Sequence, residues 1–243
     1  MILFNLDFET VSTCNRTCPT CIRNSHPDRE IAAPWFAPNY LPEKVIYDAI
    51  AEAQEMPLFG GVVCLNHYNE PLTDERITDI AKTIKEKFKL NELYLHTNGD
   101  FMTEEIAKNF DGVLDRIVVT FYMDNPIKEQ RNLWVKSLFK KTNVVTITDS
   151  VHVPTHYSPG YPVKELAEKY KTRPCTEPSM RIVINHRRQY LLCCDDFNGN
   201  FGLGTYPEIH LADHWEQKMK IQDNLLVSGG RLKYHHCETC PRT

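Results

Sequence analysis

The stretch Cys14-Asn15-Arg16-Thr17-Cys18-Pro19-Thr20-Cys21 places three cysteines within eight positions, in the spacing C-x3-C-x2-C. It follows a short apolar run at 2–8 that predicts a β-strand. Three thiolates this close in the chain can bind one small inorganic cluster. A [4Fe-4S] cluster normally takes four cysteine ligands, so three local ligands leave one iron with an open coordination position. A substrate or cofactor can bind at such a position.

Two other interpretations of the motif stay open at this point. The first is a structural zinc site completed by a distant residue such as His26. Zinc sites usually combine C-x2-C with a second such pair or with two histidines, and C-x3-C-x2-C fits that pattern poorly. The second is a group of buried, unreactive thiols, because free cysteine is among the most buried residue types.

Composition and charge exclude several classes of protein. The chain has 243 residues, enough for one large or two small domains. Its net charge of -4 favours neither a nucleic acid nor an anionic membrane as partner. No apolar run reaches the roughly 18 residues of a membrane span, and the first residues lack the basic segment of a signal peptide. Nine cysteines in such a chain predict a cytoplasmic, reducing location and metal or redox chemistry rather than disulfides.

Short β-branched or aromatic runs alternate with amphipathic helical patterns over 1–150. The pattern predicts strands at 2–8, 61–66, 93–96, 116–121 and 144–147, and helices that begin near 41, 74, 103 and 126. Strands that alternate with helices predict βαβ units and a parallel sheet. Functional residues of such folds lie at the carboxyl ends of the strands. The cysteine motif and the ends of the neighbouring strands should therefore surround one site.

Polar residues follow the second and third predicted strands. Glu70 either binds a ligand or is an acid favoured by the dipole at a helix N-terminus. Thr97 and Asn98 have side chains that can hydrogen-bond to hydroxyl groups. His96 precedes them, and its imidazole either accepts a proton at the mouth of the barrel or is a core histidine with satisfied hydrogen bonds.

A second set of cysteines lies in the C-terminal third of the chain. Two β-like runs at 180–184 and 189–192 predict a hairpin, and the tail carries a C-x2-C pair. The flanks of the hairpin and the tail can bring four thiolates together to hold a second cluster or a zinc ion, namely Cys175, one of Cys193 and Cys194, Cys237 and Cys240. A zinc ribbon that only stabilises the tail stays open as an alternative.

The C-x3-C-x2-C motif resembles the signature of the radical SAM superfamily. The resemblance implies a partial (β/α)6 TIM-like barrel over 1–162, in which Cys14, Cys18 and Cys21 hold a [4Fe-4S] cluster. The open iron then binds S-adenosylmethionine (SAM), and one-electron reduction cleaves SAM to methionine and a 5′-deoxyadenosyl radical. Thr20 stands where the family often has an aromatic residue.

The same resemblance assigns roles to the strand ends. Tyr-Asn-Glu-Pro at 68–71 corresponds to the family's Gly-Gly-Glu-Pro-like segment, although the glycines are replaced. This correspondence implies that Glu70 binds the ammonium group of SAM. The end of the third strand is assigned to the neighbourhood of the ribose, which implies that Thr97 and Asn98 bind there.

The second cysteine set resembles the twitch domain, the shortened form of the SPASM domain, which binds one auxiliary [4Fe-4S] cluster. The resemblance implies a small hairpin-and-helix domain over 163–243. In the family pattern the ligand precedes an acid by three residues, which selects Cys193 before Asp196 and leaves Cys194 as a spare. The segments that carry the resemblance are Arg-Pro-Cys at 173–175, Cys-Cys-Asp-Asp-Phe at 193–197, Gly-Leu-Gly at 202–204, Ala-Asp-His-Trp at 212–215 and Cys-Glu-Thr-Cys at 237–240. The implied ligands are Cys175, Cys193, Cys237 and Cys240.

Two clusters imply a division of labour, in which one generates the radical and the other accepts an electron from the substrate. The short architecture resembles the aminocyclitol dehydrogenases, which oxidise a secondary alcohol of 2-deoxy-scyllo-inosamine to a ketone. It implies a small-molecule substrate and an external one-electron donor such as flavodoxin or ferredoxin. The loop at 152–162 lacks the Arg-Gly-Gly segment of those enzymes. Radical modification of a ribosomal peptide and a simple iron–sulfur electron carrier are the alternative functions.

Overall fold

The computed structural model describes residues 4–18, 21–25, 38–121, 127–147 and 163–242. These residues form a sheet of seven strands in the order β5-β4-β3-β2-β1-β6-β7. Neighbouring strands are parallel except for β7, which is antiparallel to β6. The mostly parallel, open sheet confirms the predicted α/β class. The strands are β1 (Phe4–Phe8), β2 (Phe59–Cys64), β3 (Glu92–Thr97), β4 (Arg116–Thr120), β5 (Asn143–Ile147), β6 (Arg181–Ile184) and β7 (Tyr190–Leu191).

Helices separate the strands in the order that the sequence predicts. Among the described residues, two 3₁₀ turns at Pro71–Thr73 and Gly230–Lys233 supplement them. Within the described ranges no helix is both long enough and apolar enough to span a membrane. The helices are α1 (Ile22–Ser25), α2 (Glu43–Gln54), α3 (Ile77–Lys87), α4 (Glu104–Phe110), α5 (Ile127–Leu138), α6 (Val163–Tyr170), α7 (Glu177–Met180), α8 (Leu211–Leu225) and α9 (His235–Glu238).

The sequences of the helices explain where they begin and which of their residues are buried. The hydroxyl of Thr103 accepts a hydrogen bond from the backbone N–H of Ile106 at 3.2 Å, which caps α4. In both α2 and α3, apolar residues recur at helical spacing, and the stripe that they form faces the core. The stripe residues are all buried, as predicted: Val45, Ile46, Ala49 and Ile50 in α2, and Ile77, Ile80, Ala81 and Ile84 in α3.

The two faces of the sheet differ in polarity because side chains alternate along each strand. Leu6, Val63 and Leu93 share register positions and are fully buried in the core beneath the helices. On the other face the register places Asp7 beside Cys64, Cys64 beside Tyr94, and Tyr94 beside Arg116. Asp7 accepts a hydrogen bond from Arg181 at 2.8 Å, and Arg116 lies 4.3 Å over the ring of Tyr94. One face is therefore a hydrocarbon core and the other a polar wall.

The C-terminal third continues the sheet of the N-terminal part. Strand β6 pairs in parallel with β1, with Asn5 opposite Arg181 and Phe8 opposite Ile184. Helix α8 packs beneath this region, where the buried Lys218 donates a hydrogen bond to the backbone oxygen of Arg181 at 2.5 Å. The predicted hairpin is present, and it adds to the barrel sheet as β6 and β7. The predicted division into 1–162 and 163–243 stays a prediction.

A close backbone approach after α8 makes one glycine necessary. A Cβ atom at Gly230 would lie 1.7 Å from the backbone oxygen of Asn224. We therefore expect Gly230→Ala to lower the free energy of unfolding by about 3 kcal/mol, because the chain must shift to relieve the overlap. Urea denaturation checks the value. Gly202→Ala is the control: it has positive φ but no atom within 4 Å, and should cost about 1 kcal/mol. Equal losses would contradict the steric argument.

Candidate functional site

The loop that carries the first cysteines is tied to the ends of β2 and β3. The backbone N–H of Glu70 donates to the oxygen of Thr13 at 2.9 Å. The side-chain amide of Asn98 donates to Asn15 at 2.8 Å. Asp100 accepts two hydrogen bonds from the guanidinium of Arg16, at 2.6 and 2.7 Å. The carboxyl ends of three adjacent strands therefore meet, as the parallel sheet predicts.

Glu70 organises the polar residues at this edge. One carboxylate oxygen accepts from the backbone N–H of Leu72 at 3.0 Å and from the hydroxyl of Thr97 at 2.6 Å, and the other accepts from the N–H of Asn98 at 2.7 Å. Burial raises the pKa of Glu70 to about 7, although these hydrogen bonds act in the opposite direction. A carboxylate has about four acceptor positions, so one remains for a ligand. The structure thus brings together Glu70, Thr97 and Asn98, and Glu70 also caps the 3₁₀ turn at Pro71–Thr73.

The three cysteines of the first set share one short loop. The N–H of Cys21 donates to the oxygen of Cys18 at 3.1 Å. Burial raises the pKa of Cys14 to about 11 and raises that of Cys18 as well. Iron deprotonates a coordinating thiol, so these values describe the metal-free loop. Three thiols in a loop that is fixed to the sheet fit the donor set of a cluster with one open iron.

No metal site for a single ion is formed in the described ranges. No group of three or more histidine, cysteine, aspartate or glutamate side chains among those residues is arranged to hold one ion. His26, the residue considered for a zinc site, and the loop at 152–162 both lie outside the described residues. The predicted ligand roles therefore stay predictions.

His96 lies one residue before Thr97 and is exposed. Its backbone N–H donates to the side chain of Asn66 at 2.6 Å, and its ring contacts that of Tyr94 edge-on. Partial burial and the charges of Arg116 and Arg181 lower the pKa of His96 to about 4. A ring with such a pKa is neutral at pH 7 and is a weak base. Its predicted role as proton acceptor stays a prediction.

The second set of cysteines is gathered around α8 and the tail. The N–H of Cys175 donates to the oxygen of Leu225 at 2.8 Å, and Cys237 lies within electrostatic reach of Cys175. The thiol of Cys240 lies 3.7 Å from Asp195. None of the five cysteines in this set forms a disulfide. Cys175 and Cys237 therefore lie near each other, and Cys240 lies beside the turn that carries Cys193.

The adjacent residues Cys193 and Cys194 have different surroundings. Cys193 lies within electrostatic reach of the buried Lys218. The thiol of Cys194 accepts a hydrogen bond from Arg242 at 2.8 Å and lies 3.4 Å from a carboxylate oxygen of Glu177. The thiol of Cys194 therefore has two charged contacts, whereas Cys193 lies within electrostatic reach of Lys218 and Arg242.

Tyr68 connects the two cysteine sets. Its hydroxyl donates a short hydrogen bond to the backbone oxygen of Cys194, and its ring packs edge-on against Phe197. Tyr68 also lies within electrostatic reach of Cys21. The end of β2 therefore spans the space between the two groups of thiols.

The sequence gives little indication of a buried contact between a carboxylate and an imidazole at the same edge. Glu9 follows β1 and His186 follows β6, and the His186 ring nitrogen Nδ1 lies 2.5 Å from a carboxylate oxygen of Glu9. Glu9 is the first charged residue after a predicted strand, which is a usable signal. His186 gave none, because it reads as part of a hairpin turn.

Comparison by sequence finds no matching protein-family model and no matching curated protein. Comparison of structures finds BtrN in complex with AdoMet and 2-DOIA, with a TM-score of 0.78 and 20% identity over 99% of this chain and 93% of that chain. BtrN in an open conformation gives a TM-score of 0.71 at 20% identity, over 99% and 92% of the two chains. The protein anSMEcpe with bound AdoMet gives 0.55 at 14% identity, over 98% and 85%. The chain therefore shares the overall fold of BtrN and anSMEcpe.

Proposed function

We propose that the chain is a radical SAM enzyme that oxidises a small polar substrate. The proposal is carried by one observation. Hydrogen bonds join the cysteine loop to the strand ends, where Glu70, Thr97 and Asn98 lie. The BtrN and anSMEcpe structures contain bound AdoMet, which is SAM, and this supports a SAM site in the same fold.

Each residue at this edge has a proposed part in binding. The thiols of Cys14, Cys18 and Cys21 hold a [4Fe-4S] cluster, which when bound supplies the electron that cleaves SAM. Glu70 accepts a hydrogen bond from the SAM ammonium group through its remaining acceptor position. Thr97 and Asn98 are fixed by Glu70 and so present their polar groups to the ribose in one orientation.

The second cysteine set is proposed to hold an auxiliary cluster through Cys175, Cys193, Cys237 and Cys240. The chemistry of the set supports this, because all of these thiols are free and Cys237 lies within electrostatic reach of Cys175. A cluster with four cysteine ligands has no open iron, so its proposed part is electron transfer. Zinc is the alternative occupant, and metal analysis of the purified protein distinguishes the two.

The net reaction proposed is the oxidation of a secondary alcohol to a ketone. Support comes from the extent of the likeness to BtrN, whose structure contains 2-DOIA and is matched over 93% of its length. The polar wall formed by Asp7, Arg181 and Arg116 suits a substrate with hydroxyl and amino groups. An external one-electron donor such as flavodoxin or ferredoxin supplies the reducing electron.

Anaerobic reconstitution tests the proposal. We expect about eight irons per chain and release of 5′-deoxyadenosine from SAM under a strong reductant. Incubation with 2-deoxy-scyllo-inosamine, simple sugars and short peptides then shows which class increases that release. Zinc in place of iron, or stable SAM in every incubation, would contradict the proposal. A response to peptides alone would replace alcohol oxidation by peptide modification.

Glu70→Gln is expected to weaken SAM binding about 10- to 100-fold, because a hydrogen bond to a charged group contributes about 1.5–3 kcal/mol. In the wild type, SAM binding should tighten as the pH rises through about 7, the pKa of Glu70, because the carboxylate form pairs with the ammonium group. The variant should lack that dependence. Isothermal titration of the iron-loaded protein measures both.

Glu52→Gln is the matched control for this variant. Glu52, on α2, also accepts a backbone N–H at the start of a helix, from Leu211 of α8 at 2.6 Å. We expect its SAM affinity to equal that of the wild type. If Glu70→Gln binds SAM equally well, Glu70 acts only as a helix cap.

A further inference from the structure

A buried carboxylate and an imidazole form a pair at the carboxyl edge of the sheet. Glu9 and His186 are both almost fully buried, with side-chain exposures of 4% and 6%. The Nδ1 atom of His186 lies 2.5 Å from Oε2 of Glu9, and the backbone N–H of His186 approaches the same oxygen at 3.4 Å. Burial opposes ionisation of Glu9, but the hydrogen bond from His186 acts against it, and the pKa of that carboxyl lies below its ordinary value.

This contact with Glu9 determines the state of the other ring nitrogen of His186, Nε2. A histidine whose Nδ1–H is bound by a carboxylate has its tautomer fixed, so that Nε2 carries the lone pair. The carboxylate also stabilises the imidazolium that forms when Nε2 takes up a proton. Among the described residues, none hydrogen-bonds to Nε2 of His186. The pair therefore has the form of a general base with an open accepting atom.

The pair lies at the edge of the sheet where β1 and β6 end and the first cysteine loop begins. Glu9 follows β1 and precedes Cys14 by five positions, and His186 lies on the turn between β6 and β7, which leads to Cys193. His67, after β2, is within electrostatic reach of Glu9. The Nε2 atom of His67 is buried and has no hydrogen-bond partner among the described residues. Glu9, His67 and His186 therefore follow the ends of three neighbouring strands, at the edge of the sheet where we propose that the substrate binds.

The charges around the pair come from several elements. Burial, together with the charges of Arg181, Arg242 and Lys218, lowers the pKa of His67 to about 4, against the opposing effect of Glu9. His67 is therefore neutral at pH 7. Asp7 on β1 is engaged with Arg181. This leaves Glu9 as the carboxylate that acts directly on His186.

We infer that His186 is the residue that accepts the hydroxyl proton of the substrate, and that Glu9 positions it. This rests on the proposed function. The 5′-deoxyadenosyl radical takes a hydrogen atom from the carbinol carbon and leaves a carbon radical that still bears its hydroxyl group. Nε2 of His186 takes the hydroxyl proton and becomes an imidazolium, and a ketyl radical anion remains. Loss of one electron to an oxidised auxiliary iron–sulfur cluster completes the C=O double bond.

The inference replaces His96 as proton acceptor. His96 is exposed and has no carboxylate among its described contacts, whereas His186 is buried against one. An imidazolium at His96 would face the charges of Arg116 and Arg181. The one at His186 forms beside Glu9.

The test uses iron-loaded, SAM-bound enzyme and 2-deoxy-scyllo-inosamine that carries deuterium on its carbinol carbons. Two products are measured from about pH 6 to about pH 9, deuterated 5′-deoxyadenosine and ketone. In the wild type we expect the ratio of ketone to deuterated 5′-deoxyadenosine to rise with pH through one ionisation. In His186→Gln deuterated 5′-deoxyadenosine should persist, while the ratio falls about 100-fold and loses its pH dependence.

Glu9→Gln is a second variant, which keeps the size of the side chain and removes its charge. We expect a fall of about 10-fold in the ratio and a pH profile displaced to lower pH, because the charge that favours the imidazolium is gone. His210→Gln is the matched control, because His210 also pairs with a glutamate, Glu52, at 3.3 Å, but is exposed on the surface. Its ratio and profile should match those of the wild type.

The outcomes separate the inference from the proposed function. A wild type that yields no deuterated 5′-deoxyadenosine contradicts the proposed function, and the inference fails with it. A wild type that yields both products, with an unchanged ratio and pH profile in His186→Gln and Glu9→Gln, overturns the inference alone. If the ratio of ketone to deuterated 5′-deoxyadenosine falls in His96→Gln and not in His186→Gln, the role of proton acceptor returns to His96.

Discussion

Replacement of Cys14, Cys18 and Cys21 together by alanine should remove about four of the roughly eight irons bound by the reconstituted protein. The same change should abolish the release of 5′-deoxyadenosine, because no open iron remains to bind SAM. The fold itself should persist, since these residues lie in a loop beyond the last residue of β1. Iron analysis and chromatographic measurement of 5′-deoxyadenosine give the two results.

Cys64→Ala is the control for the triple variant. Cys64 is buried at the end of β2, and its thiol lies 3.3 Å from the side chain of Asn66. Its loss removes a thiol from the same sheet without touching the cysteine loop, so iron content and SAM cleavage should be those of the wild type. SAM cleavage that survives in the triple variant would show that the motif is not the radical-generating site.

The second large effect is expected at the second set of cysteines, which we propose holds the auxiliary cluster. Cys193→Ala should lose about four irons and the ketone product, while SAM cleavage continues at the first cluster. Cys194→Ala should keep its iron, because the thiol of Cys194 is engaged by Arg242 at 2.8 Å and is proposed as the spare. Iron analysis together with electron paramagnetic resonance of the reduced protein distinguishes loss of one cluster from loss of both.

These two variants control one another, since the residues are adjacent and share the turn after β7. Equal loss of iron in both would show that the choice of Cys193 is wrong. Loss in Cys194→Ala alone would make Cys194 the ligand. Full iron content in both would show that this turn contributes no ligand.

Much of the fold follows from local sequence. Alternation of polar and apolar residues in β1, and the helical stripes of α2 and α3, specify which face of each element is buried. Because the strands are parallel, their ends meet at one edge. The meeting of Glu70, Thr97 and Asn98 with the loop of Cys14 was therefore predictable.

The rest of the site depends on contacts between distant segments. Glu9 and His186 are 177 positions apart and meet only because β6 pairs with β1. Arg242 likewise reaches Cys194 from the tail. Neither pairing has a local signature, since a charged residue after a strand and a histidine in a turn are common and mostly solvated. Long-range strand order decides such contacts, and one sequence does not specify it.

The position of β1 has a consequence for biosynthesis. This first strand is bordered by β2 on one side and by β6 on the other, so one of its edges stays unpaired until the ribosome has delivered residues 181–184. A nascent chain thus carries an uncovered hydrophobic strand, a template for aggregation, beside the very loop destined for iron. We therefore expect the sheet beside that loop to close only after residues 181–184 have been synthesised.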